Sequence, residues 1–128
     1  MNEDRRKILI VEDEYIVAAD IKMTLQKMNY YVIGISNSGE DTIRKIKIEK
    51  PDLILMDITL KGSLDGIETA QIIMTQYDIP IIYLSALNDE KTIERALSTK
   101  PSGYLFKPFD IRKLHSAIES AFVKSQVF

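Results

Sequence analysis

Polar side chains end four of the five short apolar runs in this sequence, and these side chains are the ones that could do chemistry. Three are carboxylates, one is a hydroxyl and one is an ammonium: Glu12, Asp13, Asp57, Ser85 and Lys107. Asp57 follows residues 53–56, a run that is apolar on both faces, as in a central strand of a parallel sheet. An aspartate there could simply cap a helix or form a turn. The other three polar run ends favour a ligand site at the carboxyl ends of the strands.

Carboxylates that meet at one point repel one another, which raises their pKa values unless a positive charge joins them. Lys107 can balance one of these charges, and a divalent cation can balance more. Because the cluster offers only oxygen ligands, it favours Mg²⁺, with Mn²⁺ as an alternative, over zinc or copper. Mg²⁺ keeps open positions for phosphate oxygens. The chemistry indicated is therefore phosphoryl transfer, with Asp57 as the nucleophile.

The elements that would position these groups are five strands alternating with five helices. Hydrophobic periodicity predicts strands at residues 8–11, 31–35, 53–57, 81–84 and 104–106, and helices over about 14–28, 38–49, 65–77, 89–98 and 110–124. Predicted helix caps are Ser38, Asp65, Asn88 or Asp89, and Asp110. The first helix has an apolar face formed by Ile16, Val17, Ile21, Leu25 and Met28, and the last has one formed by Ile111, Leu114, Ile118 and Phe122.

This alternation predicts an α/β fold, because right-handed crossovers place helices on both faces of a parallel sheet. We expect a doubly wound, flavodoxin-like (βα)5 fold with a five-stranded parallel sheet of order 2-1-3-4-5. The first and third strands are then neighbours, so Glu12, Asp13 and Asp57 converge. The chain is expected to be a single domain over 1–128, with a core of about 7–124 and no output domain visible.

Composition excludes several classes of function. The 128-residue chain has a net charge of −2, which gives no electrostatic reason to expect binding to nucleic acid or to a membrane. It has no cysteine, which excludes thiolate catalysis, and one histidine, His115, which excludes multi-histidine metal sites. The sequence shows neither an 18-residue apolar stretch nor a signal-peptide layout. We therefore expect a cytoplasmic protein.

Four motifs in order carry a family resemblance: ILIVEDE at 8–14, DLILMD at 52–57, IIYLSA at 81–86 and GYLFKPF at 103–109. From about Lys7 to Val123 the chain resembles the receiver domain of a two-component response regulator. The resemblance implies that Asp57 accepts a phosphoryl group from the phosphohistidine of a sensor histidine kinase, or from a small donor such as acetyl phosphate. The protein would then be a signalling switch that modifies only itself, and not a general enzyme.

Further roles come from the same resemblance. Asp13 matches a direct Mg²⁺ ligand, Glu12 a ligand through water, and the backbone carbonyl of Thr59 the remaining protein ligand. Lys107 matches the lysine that contacts the phosphoryl group, and Pro108 would follow a cis peptide.

The resemblance also implies a switch. Ser85 matches the hydroxyl that closes onto the phosphoryl group, and Tyr104 matches the aromatic residue that then turns inward. The surface of helix 4, strand 5 and helix 5 would bind a downstream partner or a second copy of the chain. Thr59 and Leu87, two residues beyond Asp57 and Ser85, are neither acids nor amides able to orient water, so slow self-hydrolysis is expected.

The sequence departs from the common family pattern after Asp57. Lys61 stands where a proline is frequent, and the loop to Gly66 is about one residue longer. This predicts a more mobile Gly62-Ser63 turn and makes Thr59 the least secure of the ligands. A subgroup of the family carries a similar D-I-x-L-x-G-x-x-D-G-I-E loop.

Three alternatives remain open from the sequence. A Mg²⁺-dependent phosphohydrolase of the haloacid-dehalogenase type needs a second acid where Thr59 stands. A flavodoxin-like electron carrier needs a phosphate-binding loop where the acidic stretch Glu12-Asp13-Glu14 stands. A pseudo-receiver that binds partners without being phosphorylated is disfavoured because every expected site residue is present.

Overall fold

The computed structural model describes residues 5–125. The strands are β1 (Lys7–Val11), β2 (Tyr31–Ser36), β3 (Leu53–Asp57), β4 (Ile81–Ser85) and β5 (Gly103–Phe106). The helices are α1 (Tyr15–Lys27), α2 (Gly39–Ile48), α3 (Gly66–Met74), α4 (Glu90–Ser98) and α5 (Ile111–Ser125). All strand pairs are parallel, in the order β2-β1-β3-β4-β5, which confirms the predicted flavodoxin-like fold. Within 5–125, no helix combines the length and apolarity needed to cross a bilayer.

The register of the sheet brings the polar strand ends to one rim. Val11 pairs with Met56, so Glu12 and Asp57, the next residues along the two strands, lie side by side. Asp57 itself pairs with Leu84, and Ser85 pairs with Phe106. The ends of β1, β4 and β5 therefore lie on the same rim of the sheet as the end of β3.

β3 is the centre of the fold, and all five of its residues are buried. Alternate strand residues enter two apolar layers, as the period of a β-strand requires. One layer lies under α1 and α5 and includes Leu53, Leu55 and Leu114. The other lies under α2, α3 and α4 and includes Ile54 and Met56. The long apolar run thus fixes β3 in place and leaves Asp57 at its end.

The helix starts follow the local capping chemistry. The Ser38 hydroxyl accepts a hydrogen bond from the Asp41 amide, and Asp89 accepts one from the Thr92 amide. Asp65 forms a reciprocal capping box with Glu68 at the start of α3. The predictions of Ser38, Asp65 and Asp89 as caps are therefore confirmed.

Two residues predicted on apolar helix faces are exposed instead. Ile16 is 81% exposed and Ile111 is 64% exposed. Both lie in the first turn of their helices, which begin beyond the rim where the strands end. Their side chains remain open to solvent, whereas Val17, the next residue in α1, packs against the core.

Candidate functional site

Three acidic side chains meet at the rim between β1 and β3. One carboxylate oxygen from each of Glu12, Asp13 and Asp57 lies within 4.8 Å of the others. Glu12 and Asp57 are only 1% and 5% exposed, while Asp13 is partly exposed. Glu12 is held by its own turn, because its Oε2 accepts a hydrogen bond from the Glu14 amide at 3.1 Å. The structure thus brings together the acidic residues that the sequence singled out.

Lys107 supplies the positive charge of this cluster. Its Nζ donates to Glu12 Oε1 at 2.6 Å and to Asp57 Oδ2 at 2.9 Å. Its backbone amide donates to the Ser85 carbonyl at 2.8 Å, and a cis peptide joins it to Pro108, as the resemblance implied. Burial lowers the pKa of Lys107, but hydrogen bonds to Glu12 and Asp57 outweigh burial and raise it above its usual range. The ammonium is therefore charged at neutral pH.

The two oxygens of Asp57 have different partners. Oδ2 accepts from Lys107, and Oδ1 accepts from the Thr59 backbone amide at 3.1 Å. Burial raises the pKa of Asp57 to about 6; Lys107 opposes this rise and the Glu12 carboxylate adds to it. One lysine therefore does not offset the burial and mutual repulsion of the acidic side chains.

The cluster fits a hard divalent cation. The atoms that converge are all carboxylate oxygens, and they repel one another. A divalent cation bound between them would remove this repulsion. Mg²⁺ binds through one or two carboxylates and keeps several waters, which suits a partly open rim. Mn²⁺ accepts the same ligands.

Ser85 and Tyr104 are connected through the backbone of Leu87. The buried Ser85 hydroxyl accepts from the Leu87 amide at 2.9 Å, and the Tyr104 hydroxyl donates to the Leu87 carbonyl at 3.2 Å. The half-buried Tyr104 ring packs edge-on against Tyr83, with centroids 6.3 Å apart. Sequence analysis named Ser85 and Tyr104 but missed this link, since a backbone contact leaves no signature in residue type.

The β3–α3 loop, residues 58–65, is held more tightly by its neighbours than the sequence indicated. The Gly66 amide donates to the Ile58 carbonyl at 2.7 Å, and a Cβ on Gly66 would lie 2.1 Å from the Asp57 carbonyl oxygen. Only glycine permits that approach. At the tip of the loop, Ser63 donates from its amide and its hydroxyl to Glu40, which the sequence analysis did not select. The turn predicted to be mobile is thus tied to α2.

Comparison with known proteins identifies the family. The response regulator receiver domain model matches residues 8–119, which is most of the chain. This chain belongs to the response regulator receiver domain family. As a receiver domain it is a signalling module rather than a classic enzyme. The phosphohydrolase and electron-carrier alternatives do not fit this membership.

Curated relatives support the assignment. The receiver domain is 34% identical over 116 residues to the transcriptional regulatory protein PdtaR of Mycobacterium tuberculosis, covering 91% of this chain and 56% of that protein. It is 37% identical over 114 residues to the transcriptional regulatory protein KdpE of Staphylococcus aureus, covering 88% of this chain and 48% of that protein. The chain thus spans about half the length of the curated relatives it matches.

Solved structures agree. The signal receiver domain of a modulated diguanylate cyclase from Desulfovibrio desulfuricans superposes with a TM-score of 0.90 and 38% identity, covering 96% of this chain and 98% of that one. The BeF3-activated N-terminal receiver domain of Klebsiella pneumoniae RstA superposes with a TM-score of 0.83 and 30% identity, covering 89% and 96%. The fold is therefore that of a receiver domain.

Proposed function

We propose that this receiver domain accepts a phosphoryl group on Asp57 from the phosphohistidine of a sensor histidine kinase, with Mg²⁺ bound beside it, in the cytoplasm. The observation that carries the proposal is the position of the Asp57 carboxylate. It lies between the Lys107 ammonium and the Thr59 amide, with the acidic pair Glu12 and Asp13 within 4.8 Å. These are the parts that phosphoryl transfer requires: a nucleophile, a cation site and a fixed positive charge.

In the proposed step an Asp57 carboxylate oxygen attacks phosphorus, and the P–N bond of the phosphohistidine breaks as the O–P bond forms. The electron pair of the P–N bond leaves on the imidazole, which departs neutral when its other nitrogen carries a proton. Bound Mg²⁺ would spread the negative charge of the phosphoryl oxygens. Glu12 and Asp13 would hold that ion together with Asp57 and the Thr59 carbonyl. Lys107 contributes a permanent positive charge beside the attacking carboxylate.

The proposed relay starts from the Leu87 link. A phosphoryl group adds about −1.5 to −2 charge and new hydrogen-bond acceptors. Those acceptors draw the Ser85 hydroxyl away from the Leu87 amide, and the Tyr104 hydroxyl, bonded to the Leu87 carbonyl, is released with it. Tyr104 then turns into the space that Ser85 vacates, as the family resemblance implies.

The face that would change is formed by α4, β5 and α5. Ala96 is the one buried residue in α4, so this helix has few apolar contacts that resist a shift. Leu97 and Phe106 are about half exposed on α4 and β5. We propose that a downstream protein or a second copy of the chain binds this face.

A separate groove offers the kinase a place to dock. A cavity of about 450 Å³ lies between α1 and the loops after β4 and β5, and Lys107 and Ile111 are among its lining residues. Ile16 precedes the lining residue Asp20 by one helical turn, which leaves two exposed isoleucines beside the site. A kinase that must bring its phosphohistidine to Asp57 would contact this groove.

Replacing Ile16 or Ile111 by Glu is therefore expected to slow phosphotransfer from the cognate kinase by roughly tenfold or more, as for a central interface residue. Phosphorylation by acetyl phosphate should be unchanged, since that donor needs no docking surface. The measurement compares both donors, with kinases of the source organism assayed as a purified panel. Met23→Glu, another exposed apolar position of α1, is the matched control. Equal slowing with both donors would place the effect on the site and not on docking.

Asp13→Asn tests the cation site directly. It should abolish Mn²⁺ binding and phosphorylation, because it removes a proposed direct ligand. It should also stabilise the metal-free protein by about 1 kcal/mol, because it relieves repulsion at a partly screened position. Thermal unfolding in EDTA and Mn²⁺ titration measure the two effects. A variant that is less stable without metal and still phosphorylated would show that the cluster has been misassigned.

A further inference from the structure

The tip of the β3–α3 loop is clamped by the first turn of α2. Glu40 Oε2 accepts from the Ser63 amide at 3.2 Å and from the Ser63 hydroxyl at 2.5 Å. Gly62 lies against the same carboxylate with φ at +94°, and a Cβ there would be 2.9 Å from Glu40 Oε1. The hydrogen bond from the Ser63 hydroxyl is the main reason that the pKa of Glu40 is lowered. We call these contacts the Glu40 clamp.

The clamp acts on a loop that is already closed at its base. Ile58 is buried, and it is bonded through its amide to Leu84 and through its carbonyl to Gly66. Lys61 forms an isolated β-bridge with Ser38, the residue that caps α2. Only residues 59 and 60 lie between these two attachments. The position of the Thr59 peptide therefore depends on how firmly the tip is held.

The Thr59 peptide is the part of the loop that touches the site. Its amide donates to Asp57 Oδ1, while the side chain of Thr59 is exposed. The sequence has Lys61 where a proline would stiffen the loop, and Gly62 adds backbone freedom. Contacts from outside the loop then help to hold the peptide against Asp57, and Glu40 supplies those at the tip, beyond the bridge between Lys61 and Ser38.

We propose that Glu40 is a positioning residue for the cation site of this receiver domain. It does not reach the ion. It holds residues 58–65 so that the Thr59 backbone is set beside Asp57 before the ion arrives. This inference rests on the proposed function, in which the Thr59 carbonyl is a ligand of the cation. Removing a contact made directly to a metal ligand commonly changes metal affinity roughly 10- to 100-fold, and Glu40, which acts through Ser63, is expected at the lower end of that range.

If the role of Glu40 were purely structural, its loss would destabilise the fold and leave cation binding unchanged. α2 is attached independently of the clamp through Ile46, which is 2% exposed, and through Thr42 and Gly39, which are buried. A Cβ on Gly39 would lie 2.0 Å from Thr69 Oγ1, so α2 and α3 pack tightly without Glu40. Loss of the clamp should therefore loosen the loop and leave the fold intact.

The test is Mn²⁺ binding, measured by electron paramagnetic resonance of the free ion, on wild type, Glu40→Ala, Glu40→Gln and Ser63→Ala. Glu40→Ala should raise the dissociation constant roughly tenfold. Glu40→Gln keeps an oxygen acceptor, and Ser63→Ala keeps the amide donor, so both should fall between Glu40→Ala and wild type. Glu94→Ala, on the exposed side of α4, is the matched control and should bind as wild type.

The outcomes separate this inference from the proposed function. If Glu40→Ala and Ser63→Ala bind Mn²⁺ as wild type does, the positioning role is wrong, and a lower Tm with unchanged affinity would make the clamp merely structural. If Glu40→Ala does not fold, Ser63→Ala alone decides between these results. Asp13→Asn is measured alongside. Wild-type binding by Asp13→Asn, or none by wild type, would overturn the cation site itself and the positioning role with it.

Discussion

Incubated with acetyl phosphate and Mg²⁺, the wild-type protein should gain the mass of one phosphoryl group, and Asp57→Asn should gain none. Asparagine keeps the shape of the side chain, but a neutral amide oxygen is not a nucleophile for phosphorus. Intact-mass spectrometry measures the gain directly. Because neither Thr59 nor Leu87 is an acid or an amide that would orient an attacking water, we expect the phosphoryl group to survive the measurement.

The matched control for this experiment is Asp78→Asn. Asp78 is exposed and precedes β4, at the opposite rim of the sheet from Asp57. This variant should be labelled as wild type is. Labelling of Asp57→Asn would mean that another side chain is the acceptor. A wild-type protein that neither acetyl phosphate nor any kinase of the panel can label would be a pseudo-receiver, a binding module with an intact but unused site.

Lys107→Met should lower the free energy of unfolding by about 3 kcal/mol at pH 7.5. The substitution leaves the carboxylates of Glu12 and Asp57 buried without their counter-ion, and both are more than nine-tenths buried. It should also prevent phosphorylation of Asp57, because no fixed positive charge then faces the incoming phosphoryl group. Urea denaturation without metal measures the first effect, and intact mass measures the second.

The cost of losing Lys107 should shrink in acid. Burial already raises the pKa of Asp57 to about 6 in the wild type, and loss of the ammonium raises it further. As the pH falls from about 7 to 5, folded Asp57 takes up a proton while the unfolded carboxyl, with a pKa near 3.9, does not. The folded state then binds more protons than the unfolded state, so lowering the pH stabilises it.

Two comparisons check this account of Lys107. Lys22→Met, on the exposed side of α1, removes the same charge from the surface and should change stability little. Adding Asp57→Asn to Lys107→Met removes one of the two stranded charges and should recover part of the lost stability. If the loss were equal at pH 5 and pH 7.5, and unaffected by Asp57→Asn, it would come from packing and not from charge.

Much of the fold followed from local physical chemistry. Each apolar run has the length and residue types of a buried strand, and alternation with helices leaves few parallel topologies because crossovers are right-handed. Parallel strands end at the same rim, which is why Asp57 and Lys107 could be placed together although 50 residues separate them. The caps Ser38, Asp65 and Asp89 were predictable for a similar reason, since a cap bonds to an amide three residues away.

The tertiary structure alone decided how the site is held. The exposure of Ile16 and Ile111 depends on what packs against the first turn of each helix, and periodicity does not record that. The link through Leu87 uses backbone atoms, which every residue type has. Glu40 reaches Ser63 across 23 residues. Sequence by itself determined which chemical groups reach the rim, because strand topology is set by local patterns. Their support depends on contacts between distant segments, and only the packed chain specifies those.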